Sequence, residues 1–200
     1  NRYLSSNRVP LYNPVEDYLC NLGRWDGKDR IRALADLVPC ENPHWRELFY
    51  RWFLSMTAHW RGLDRQHGNS TSPLLVGAQG YRKSTFCRIL LPPELRFGYT
   101  DSIDFKSKQD AERSLGRFFL INIDEFDQIS VSQQGFLKHL LQKPVANLRK
   151  PYGTAIQEIR RYASFIGTSN QKDLLTDPSG SRRFICIEVT GPINTNVTIN

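Results

Sequence analysis

The sequence predicts an α/β fold, in which a parallel sheet is flanked by helices and preceded by an N-terminal helical region. Two observations support this prediction. Over residues 1–69, large apolar side chains recur at the spacing of a helix. Over residues 70–200, short continuous apolar runs alternate with helical stretches, and such runs are typical of strands buried on both faces of a parallel sheet. We therefore expect a helical region over residues 1–69 and an α/β core over residues 70–200.

The N-terminal region contains two predicted helix starts. Asn13 can cap a helix whose first position is Pro14, where the missing N–H loses no hydrogen bond, and Glu16 can close a capping box. The dipeptide Asn42-Pro43 is expected to begin a second helix in the same way. Behind it, large apolar side chains form a stripe that we interpret as core rather than as a ligand surface. The stripe consists of Trp45, Leu48, Phe49, Trp52, Phe53, Met56 and Trp60.

A glycine-rich segment follows the first predicted strand and precedes a predicted helix, which is the context of a phosphate-binding loop. The predicted strands are residues 74–76, 118–123, 162–167 and 184–189. Backbone N–H groups of such a loop face the phosphates of a nucleotide. Lys83 would reach the β- and γ-phosphates and Ser84 would ligate magnesium, so ATP and Mg²⁺ are the expected cofactors. The expected nucleotide contacts are Gly77, Ala78, Gln79, Gly80, Tyr81, Arg82, Lys83, Ser84 and Thr85.

This loop departs from the usual pattern at one position, because Arg82 stands where glycine normally precedes the lysine. Glycine is favoured there for its backbone freedom and its close approach to phosphate. A side chain at this point costs about 1 kcal/mol of strain if its φ is positive. Gly77 and Gly80 are retained, so we expect a workable loop, and whether Arg82 lowers turnover stays open.

A second motif argues against a chance match of the first. Residues 118–125 form a buried-strand pattern that ends in two carboxylates, Asp124 and Glu125. Asp124 can hold magnesium through its water shell, and Glu125 can activate or orient the attacking water. A third strand ends in Thr168-Ser169-Asn170, where a polar side chain can contact the γ-phosphate or position water. Arg182-Arg183 precedes the last strand and is either a solvated edge or a source of an arginine finger.

Together these motifs resemble the virulence-associated protein E family and, more broadly, superfamily 3 helicases of the AAA+ class. The resemblance rests on residues 77–84, 123–125, 168–170 and 180–184, and on residues 13–19 and 25–30 of the first region. It implies a bacterial or mobile-element protein that acts in DNA replication, with a primase-like domain in cis or in trans. It also implies a homo-oligomeric ring in which one subunit's arginine completes the neighbour's site.

The resemblance assigns roles to the candidate residues. Lys83 and Glu125 become catalytic residues, Asn170 becomes the sensor, and Arg183, with Arg182 beside it, becomes the finger. Two functions stay open. The first is an ATP-driven motor on DNA of the helicase or primase-helicase type. The second is a nucleotide-dependent binding or assembly switch with little turnover. The replacement of the usual glycine by Arg82 is the feature that supports this second function. Glu125 and the arginine pair favour the motor.

A β-hairpin is predicted between the Asp124-Glu125 strand and the Asn170 strand. It places Arg149, Lys150 and Tyr152 near its tip, where basic groups can neutralise phosphates and an aromatic ring can stack on a base. Superfamily 3 helicases carry a hairpin at a similar position, which makes single-stranded or duplex DNA the expected partner. The alternative is an ordinary solvent-exposed hairpin. The net charge of +7 also suits a phosphate-rich partner.

Composition excludes several other classes of protein. No apolar run is long enough to span a bilayer, so we expect no membrane partner. The four cysteines lie far apart without a C-x-x-C pair, which indicates neither a disulfide framework nor a zinc site. We therefore expect a cytoplasmic protein. Because the chain begins with Asn1 rather than Met, we also expect it to be a fragment of a larger protein.

Overall fold

A computed structural model describes residues 12–149, 156–172 and 183–196 of the chain. Its main feature is a five-stranded sheet in the order β2-β3-β6-β1-β7, with every neighbouring pair parallel. The strands are β1 (Ser72–Val76), β2 (Tyr99–Thr100), β3 (Leu120–Ile123), β6 (Ser164–Ser169) and β7 (Phe184–Glu188). The predicted parallel α/β architecture is confirmed.

The order of the strands decides which residues meet at the edge of the sheet. Strand β6 lies between β1 and β3, so that Gly167 is opposite Leu74 on one side and Ile123 on the other. Because all three strands are parallel, the segments that follow their carboxyl ends converge at one edge. This edge therefore gathers the phosphate-loop segment, the Asp124-Glu125 pair and Asn170.

Six helices and two short 3₁₀ segments accompany the sheet within the described ranges. The helices are α1 (Pro14–Cys20), α2 (Arg30–Asp36), α3 (Trp45–Arg61), α4 (Lys83–Ile89), α5 (Lys108–Arg117) and α6 (Val131–Gln142). The 3₁₀ segments are Pro93–Gly98 and Phe126–Gln128. No described helix has both the length and the apolar character that a membrane crossing requires.

The first predicted helix start is confirmed and the second is displaced. The Asn13 side chain accepts hydrogen bonds from the backbone N–H of Val15 at 3.0 Å and of Glu16 at 3.4 Å, as a cap does. Helix α3, however, begins at Trp45 rather than at Pro43. The Asn42 side chain instead accepts from the His44 N–H at 2.9 Å and stabilises a turn in front of the helix.

The aromatic stripe of α3 is core, as predicted. Its residues, apart from Leu48, join an apolar cluster that also includes side chains of the sheet and of α4. The ring of Phe49 lies 6.1 Å from that of Phe86, and the ring of Trp60 lies 5.8 Å from that of Phe119. The Trp60 indole also donates to the Phe119 carbonyl at 3.1 Å. Helix α3 is therefore fixed against the same sheet that carries the candidate site.

The predicted hairpin is also present. Strands β4 (Val145–Arg149) and β5 (Ile156–Arg160) pair antiparallel, and its tip falls outside the described residues. Two consecutive arginines anchor its base. Arg160 donates to the Trp60 carbonyl at the end of α3 at 2.5 Å. Arg161, buried beside it, donates to the carbonyls of Leu140, Leu141 and Lys143 at the end of α6. Guanidinium groups at helix carboxyl ends complement the negative end of the helix dipole, so the base of the hairpin is fixed.

One histidine of α3, His59, is buried and is expected to make stability depend on pH. Burial, reinforced by the nearby charge of Arg161, lowers the pKa of His59 from 6.5 to about 4. Above pH 6.5 the imidazole is neutral in both the folded and the unfolded chain. Between pH 6.5 and pH 4 the unfolded chain binds a proton that the folded chain does not, so stability falls as the pH falls.

We expect His59→Gln to remove this dependence. In the parent chain, His59 should lower the free energy of unfolding by about 2–3 kcal/mol as the pH falls from 7.5 to 4.5. The variant should show a correspondingly flatter profile in urea denaturation, whatever its stability at neutral pH. His44→Gln, at an exposed position in front of α3, is the matched control and should retain the slope. Equal slopes in the parent chain and the His59 variant would contradict the assignment.

Candidate functional site

A cleft of about 370 Å³ opens at the carboxyl edge of the sheet, where the segments after β1, β3 and β6 meet. It brings together the motifs that the sequence analysis singled out. Its lining residues are Gln79, Gly80, Arg82, Lys83, Ser84, Thr85, Asp124, Glu125, Thr168, Ser169 and Asn170. Of the predicted nucleotide contacts, Gly77, Ala78 and Tyr81 lie in the same loop but are not among the lining residues.

The loop between β1 and α4 is held from both sides. The Gly77 N–H donates to the Ser169 carbonyl at 3.1 Å, and the Ile193 N–H donates to the Tyr81 carbonyl at 3.0 Å. A Cβ atom on Gly77 would lie 2.8 Å from the Val189 carbonyl oxygen, so a side chain there would require the backbone to shift. The first glycine of the motif is therefore needed for close packing against the sheet.

The unusual residue of the loop, Arg82, adopts the left-handed conformation, with φ 59° and ψ 28°. The positive φ that the missing glycine implied is present, and it costs a non-glycine residue about 1 kcal/mol. The Arg82 carbonyl nevertheless accepts the first bond of α4, from the Phe86 N–H at 2.9 Å. Arginine thus reaches the geometry that glycine adopts freely, and Lys83 follows as the first residue of the helix.

The Lys83 ammonium is directed back into the loop. It donates to the carbonyls of Gly77 at 2.7 Å and Ala78 at 2.9 Å, and to the Asn170 side-chain oxygen at 2.9 Å. Lys83 is only 6% exposed. Its burial lowers the pKa of the ammonium, while the negative charges of Asp124 and Asp127 act in the opposite direction. A buried cation held by neutral acceptors is well placed to bind an anion that enters the cleft.

Asp124 connects the loop with the sheet. Its Oδ1 atom accepts a hydrogen bond from the Ser84 hydroxyl at 2.8 Å and another from the Thr168 hydroxyl. A hydroxyl and a carboxylate in contact are oxygen ligands of the type that Mg²⁺ uses beside phosphate oxygens and water. No group of three or more His, Cys, Asp or Glu side chains within the described residues forms a metal site by itself. The donor set therefore fits a cation that arrives with phosphate.

Glu125 follows Asp124 in a left-handed conformation, with φ 50° and ψ 52°. This conformation turns the chain sharply at the end of β3 and leaves the Glu125 side chain exposed at the cleft. Its carboxylate forms no hydrogen bond or ion pair with another residue in the described ranges. Glu125 is thus available to accept a proton or to orient a water molecule, whereas Asp124 is already occupied by two hydroxyl groups.

Sequence reasoning missed Asp127, and it assigned no separate role to Thr168 or Ser169. The Ser169 hydroxyl donates to Asp127 Oδ1 at 2.5 Å and accepts from the Gln171 N–H at 3.0 Å. Burial would raise the pKa of Asp127, but the hydrogen bond from Ser169 and other donors outweigh it, so the net direction is downward. Asp127 therefore stays ionised and fixes the end of β6, from which Asn170 extends.

Among the other predicted residues, Arg183 is not in the cleft. Arg183 lies just before β7, and its carbonyl accepts from the N–H of Ser72, the first residue of β1. It thus sits at the amino edge of the sheet, roughly 15 Å from the cleft at the usual rise per strand residue. Arg149 ends β4. Lys150, Tyr152 and Arg182 lie outside the described residues, so their assignments stay predictions.

Solved structures of the C-terminal region of NrS-1 share the fold. One apo structure aligns with a TM-score of 0.57 and 17% identity over 82% of this chain and 39% of that chain. The A form apo structure gives a TM-score of 0.55 and 17% identity over 82% of this chain and 38% of that chain. The present chain therefore spans well under half of those proteins, and at this identity the likeness shows the fold alone.

No curated protein matches the sequence at a significant level. A family model does match, and it covers residues 19–200, which include every motif of the cleft. The matching description is that of the virulence-associated protein E-like domain. The chain therefore belongs to the virulence-associated protein E-like family.

Proposed function

We propose that this chain is an ATP-binding and ATP-hydrolysing motor domain that acts on DNA during replication. The observation that carries the proposal is the convergence of Lys83, Ser84, Asp124, Glu125 and Asn170 at one cleft. A buried lysine, a hydroxyl–carboxylate pair, a free carboxylate and an amide are the groups that phosphoryl transfer to water requires.

The residues divide the chemistry among them. The Lys83 ammonium would exchange its bond to Asn170 for phosphate oxygens, and it would keep its bonds to the loop carbonyls. Ser84 and Asp124 would hold Mg²⁺, which neutralises charge on the phosphates when bound. Glu125 would orient a water molecule for in-line attack and accept its proton. Asn170, released from Lys83, would contact the terminal phosphate and report its presence through β6.

A second candidate is a nucleotide-dependent assembly switch with little turnover, and the strained Arg82 favours it. A side chain in the left-handed conformation at this point restricts the backbone rearrangements that glycine would allow. Glu125 favours the motor, because a protein that only binds nucleotide has no need of a free carboxylate at this position. Measured turnover separates the two functions.

The expected partners rest on the family. Resemblance to superfamily 3 helicases supports DNA as the substrate, a homo-oligomeric ring as the assembly and a primase-like domain in cis or in trans. The hairpin β4–β5 supports the same proposal, since its base is fixed by Arg160 and Arg161 and its tip carries the predicted DNA contacts. A cytoplasmic location follows from a role in replication.

The Glu125→Gln variant tests the hydrolytic step. It should bind ATP and Mg²⁺ like the parent chain and should lose turnover by about 10²–10⁴-fold, because only the group that accepts the proton is removed. Phosphate release and calorimetry measure the two properties separately. Glu41→Gln, at an exposed position that is not among the residues lining the cleft, is the matched control and should keep full turnover. Parental turnover in the Glu125 variant would show that its role is misassigned.

If the parent chain binds ATP but shows no turnover above that of Glu125→Gln, with or without single-stranded DNA, the switch is favoured over the motor.

A further inference from the structure

The loop between α1 and α2 presents an indole ring to solvent. Trp25 is 75% exposed, whereas Trp45, Trp52 and Trp60 are buried in the core. Its only polar atom is already satisfied, because the indole N–H donates to the Lys28 carbonyl at 3.2 Å. The faces of the ring are therefore what this residue offers to a ligand.

The loop is held in one conformation by short hydrogen bonds. Both carboxylate oxygens of Asp26 pair with the Arg30 guanidinium, at 2.7 and 2.8 Å, and Asp26 also accepts from the Lys28 N–H at 3.1 Å. The hydrogen bonds from Arg30 hold the pKa of Asp26 well below its usual range, so the pair stays charged. A ring fixed in this way loses little conformational entropy when a ligand stacks on it.

Trp25 stands at a groove of about 1040 Å³ whose lining includes both aromatic and basic side chains. The aromatic and basic members of its lining are Tyr18, Arg24, Trp25, Lys28, Arg30 and Tyr50. Beside it, the Arg32 guanidinium lies 3.7 Å from the centre of the Tyr50 ring, but its charge is matched by Asp29 and Glu47. Aromatic rings on which bases stack and basic groups that contact phosphates are the combination that binds single-stranded nucleic acid.

The charge of the groove favours an anionic ligand. Its two acidic residues are already paired, Asp26 with Arg30 and Asp29 with Arg32. Arg24 forms no ion pair with any residue that the structure describes. The Lys28 side chain is 76% exposed, with its ammonium 3.6 Å from an Asp26 oxygen that Arg30 already holds. The positive charges of Arg24 and Lys28 are thus in excess after the two acidic residues are neutralised, in a chain whose net charge is +7.

We propose that this groove binds single-stranded nucleic acid, with a base stacked on Trp25 and phosphates on Arg24 and Lys28. The site goes beyond the proposed ATPase, because it requires neither the nucleotide cleft nor the hairpin. It gives the N-terminal helices a function of their own, namely to hold a strand at a fixed place relative to the sheet against which α3 packs.

Fluorescence of the 200-residue chain tests the proposal directly. Trp45, Trp52 and Trp60 are buried, so quenching by an added oligonucleotide reports on Trp25. Oligothymidylate should quench this signal without ATP, and an abasic oligomer of equal length should quench it weakly. By anisotropy, Trp25→Ala should bind oligothymidylate roughly five- to a hundredfold more weakly. Its affinity for the abasic oligomer should be nearly unchanged.

Further variants separate stacking from charge. Trp25→Phe should retain most of the affinity, because the ring still stacks without the indole N–H. Arg24→Gln with Lys28→Gln should weaken binding of both oligomers and reduce the slope of log affinity against log salt by about 0.7 for each phosphate that the variant no longer neutralises. Leu63→Ala, an exposed apolar residue outside the groove, is the matched control and should bind like the parent chain.

Two results would overturn the proposal. One is equal affinity of the parent chain and Trp25→Ala for oligothymidylate, including the case in which neither binds. If the parent chain and Trp25→Ala bind equally well and Arg149→Ala with Lys150→Ala abolishes that binding, the DNA is held by the hairpin of the proposed motor and not by the groove. The other is a dimer, seen by analytical ultracentrifugation, that Trp25→Ala dissociates without any change in DNA affinity, because the groove would then bind a second copy of the chain.

Discussion

Replacing Lys83 with alanine is expected to abolish ATP binding while the chain stays folded. The ammonium now makes three hydrogen bonds, and only the one to Asn170 has to be given up for phosphate. Hydrogen bonds to charged groups contribute about 1.5–3 kcal/mol each. The freed donor makes one such bond to phosphate, so its loss lowers the affinity about ten- to a hundredfold, and loss of the ammonium charge beside the phosphates lowers it further. Isothermal titration calorimetry with ATP and Mg²⁺ measures this directly.

The fold should tolerate the change, because the groups that Lys83 leaves behind line an open cleft that water can enter. Thermal unfolding followed by circular dichroism should show a cooperative transition for the variant. Arg88→Ala is the matched control, since it removes a cation from the same helix at an exposed position outside the cleft. The control should bind ATP like the parent chain. Equal nucleotide affinity in the Lys83 variant and the parent chain would contradict the assignment of the cleft.

Much of the fold could be predicted because the strands are buried on both faces. Continuous apolar runs indicated the type and order of the strands, but they placed some strand ends wrongly. The predicted strand over residues 118–123 begins only at Leu120, and the one over residues 162–167 begins at Ser164. Residues just before the observed strands bond to the end of α5 instead of pairing in the sheet. The Tyr162 N–H, for example, donates to the Leu115 carbonyl at 2.8 Å. Such a contact depends on tertiary packing, so it cannot be predicted from the local pattern of apolar residues.

One helix of the N-terminal region was not predicted individually. Helix α2 has only seven residues, and no prediction covered it. Its N-cap is Asp29, whose side chain accepts from the Arg32 N–H, but a cap alone is a weak signal without a long apolar stripe. Helix α3 was clear from its stripe, and only its first turn was misplaced.

The spacing of the motifs predicted which residues of the candidate site would meet at one edge of the sheet. The structure brings Lys83, Ser84 and Asp124 together, while the roles of these residues stay predictions. The contacts of Asp127 with Ser169, and of Thr168 with Asp124, depend on the insertion of β6 between β1 and β3. Strand order in space does not follow from strand order in the chain. The sequence contained one weak indication of the contact with Ser169, because Asp127 is an acidic residue only three positions after Asp124, in the segment that follows β3.

The position of Arg183 also depends on topology, and it limits what this residue can do. Because β7 runs parallel to β1, the residue before β7 lies at the edge opposite the cleft. Arg183 is therefore out of reach of the cleft in its own chain. A catalytic role is open to it only if it enters the cleft of a neighbouring copy, as the resemblance to AAA+ rings implies.

Arg183→Ala is accordingly expected to retain ATP affinity and to lose turnover by about 10³-fold or more, which is the effect of removing an arginine finger. Nucleotide affinity should not change, because the substitution lies across the sheet from the Lys83 contacts. Arg183→Lys should not restore turnover, since an ammonium lacks the forked, two-pronged geometry of guanidinium. Calorimetry and phosphate release, measured on assembled protein, separate these properties.

Mixing two inactive variants tests whether the site is shared. Arg183→Ala subunits keep an intact Lys83, and Lys83→Ala subunits keep an intact Arg183. A mixed interface can therefore combine one subunit's Lys83 with its neighbour's Arg183, and turnover should recover to a maximum at intermediate ratios of the two proteins. Each variant alone, at the same total concentration, provides the baseline. Absence of recovery at every ratio, with mixed assembly demonstrated by native mass spectrometry, would exclude Arg183 as a finger in trans and leave it as a surface residue of the sheet edge.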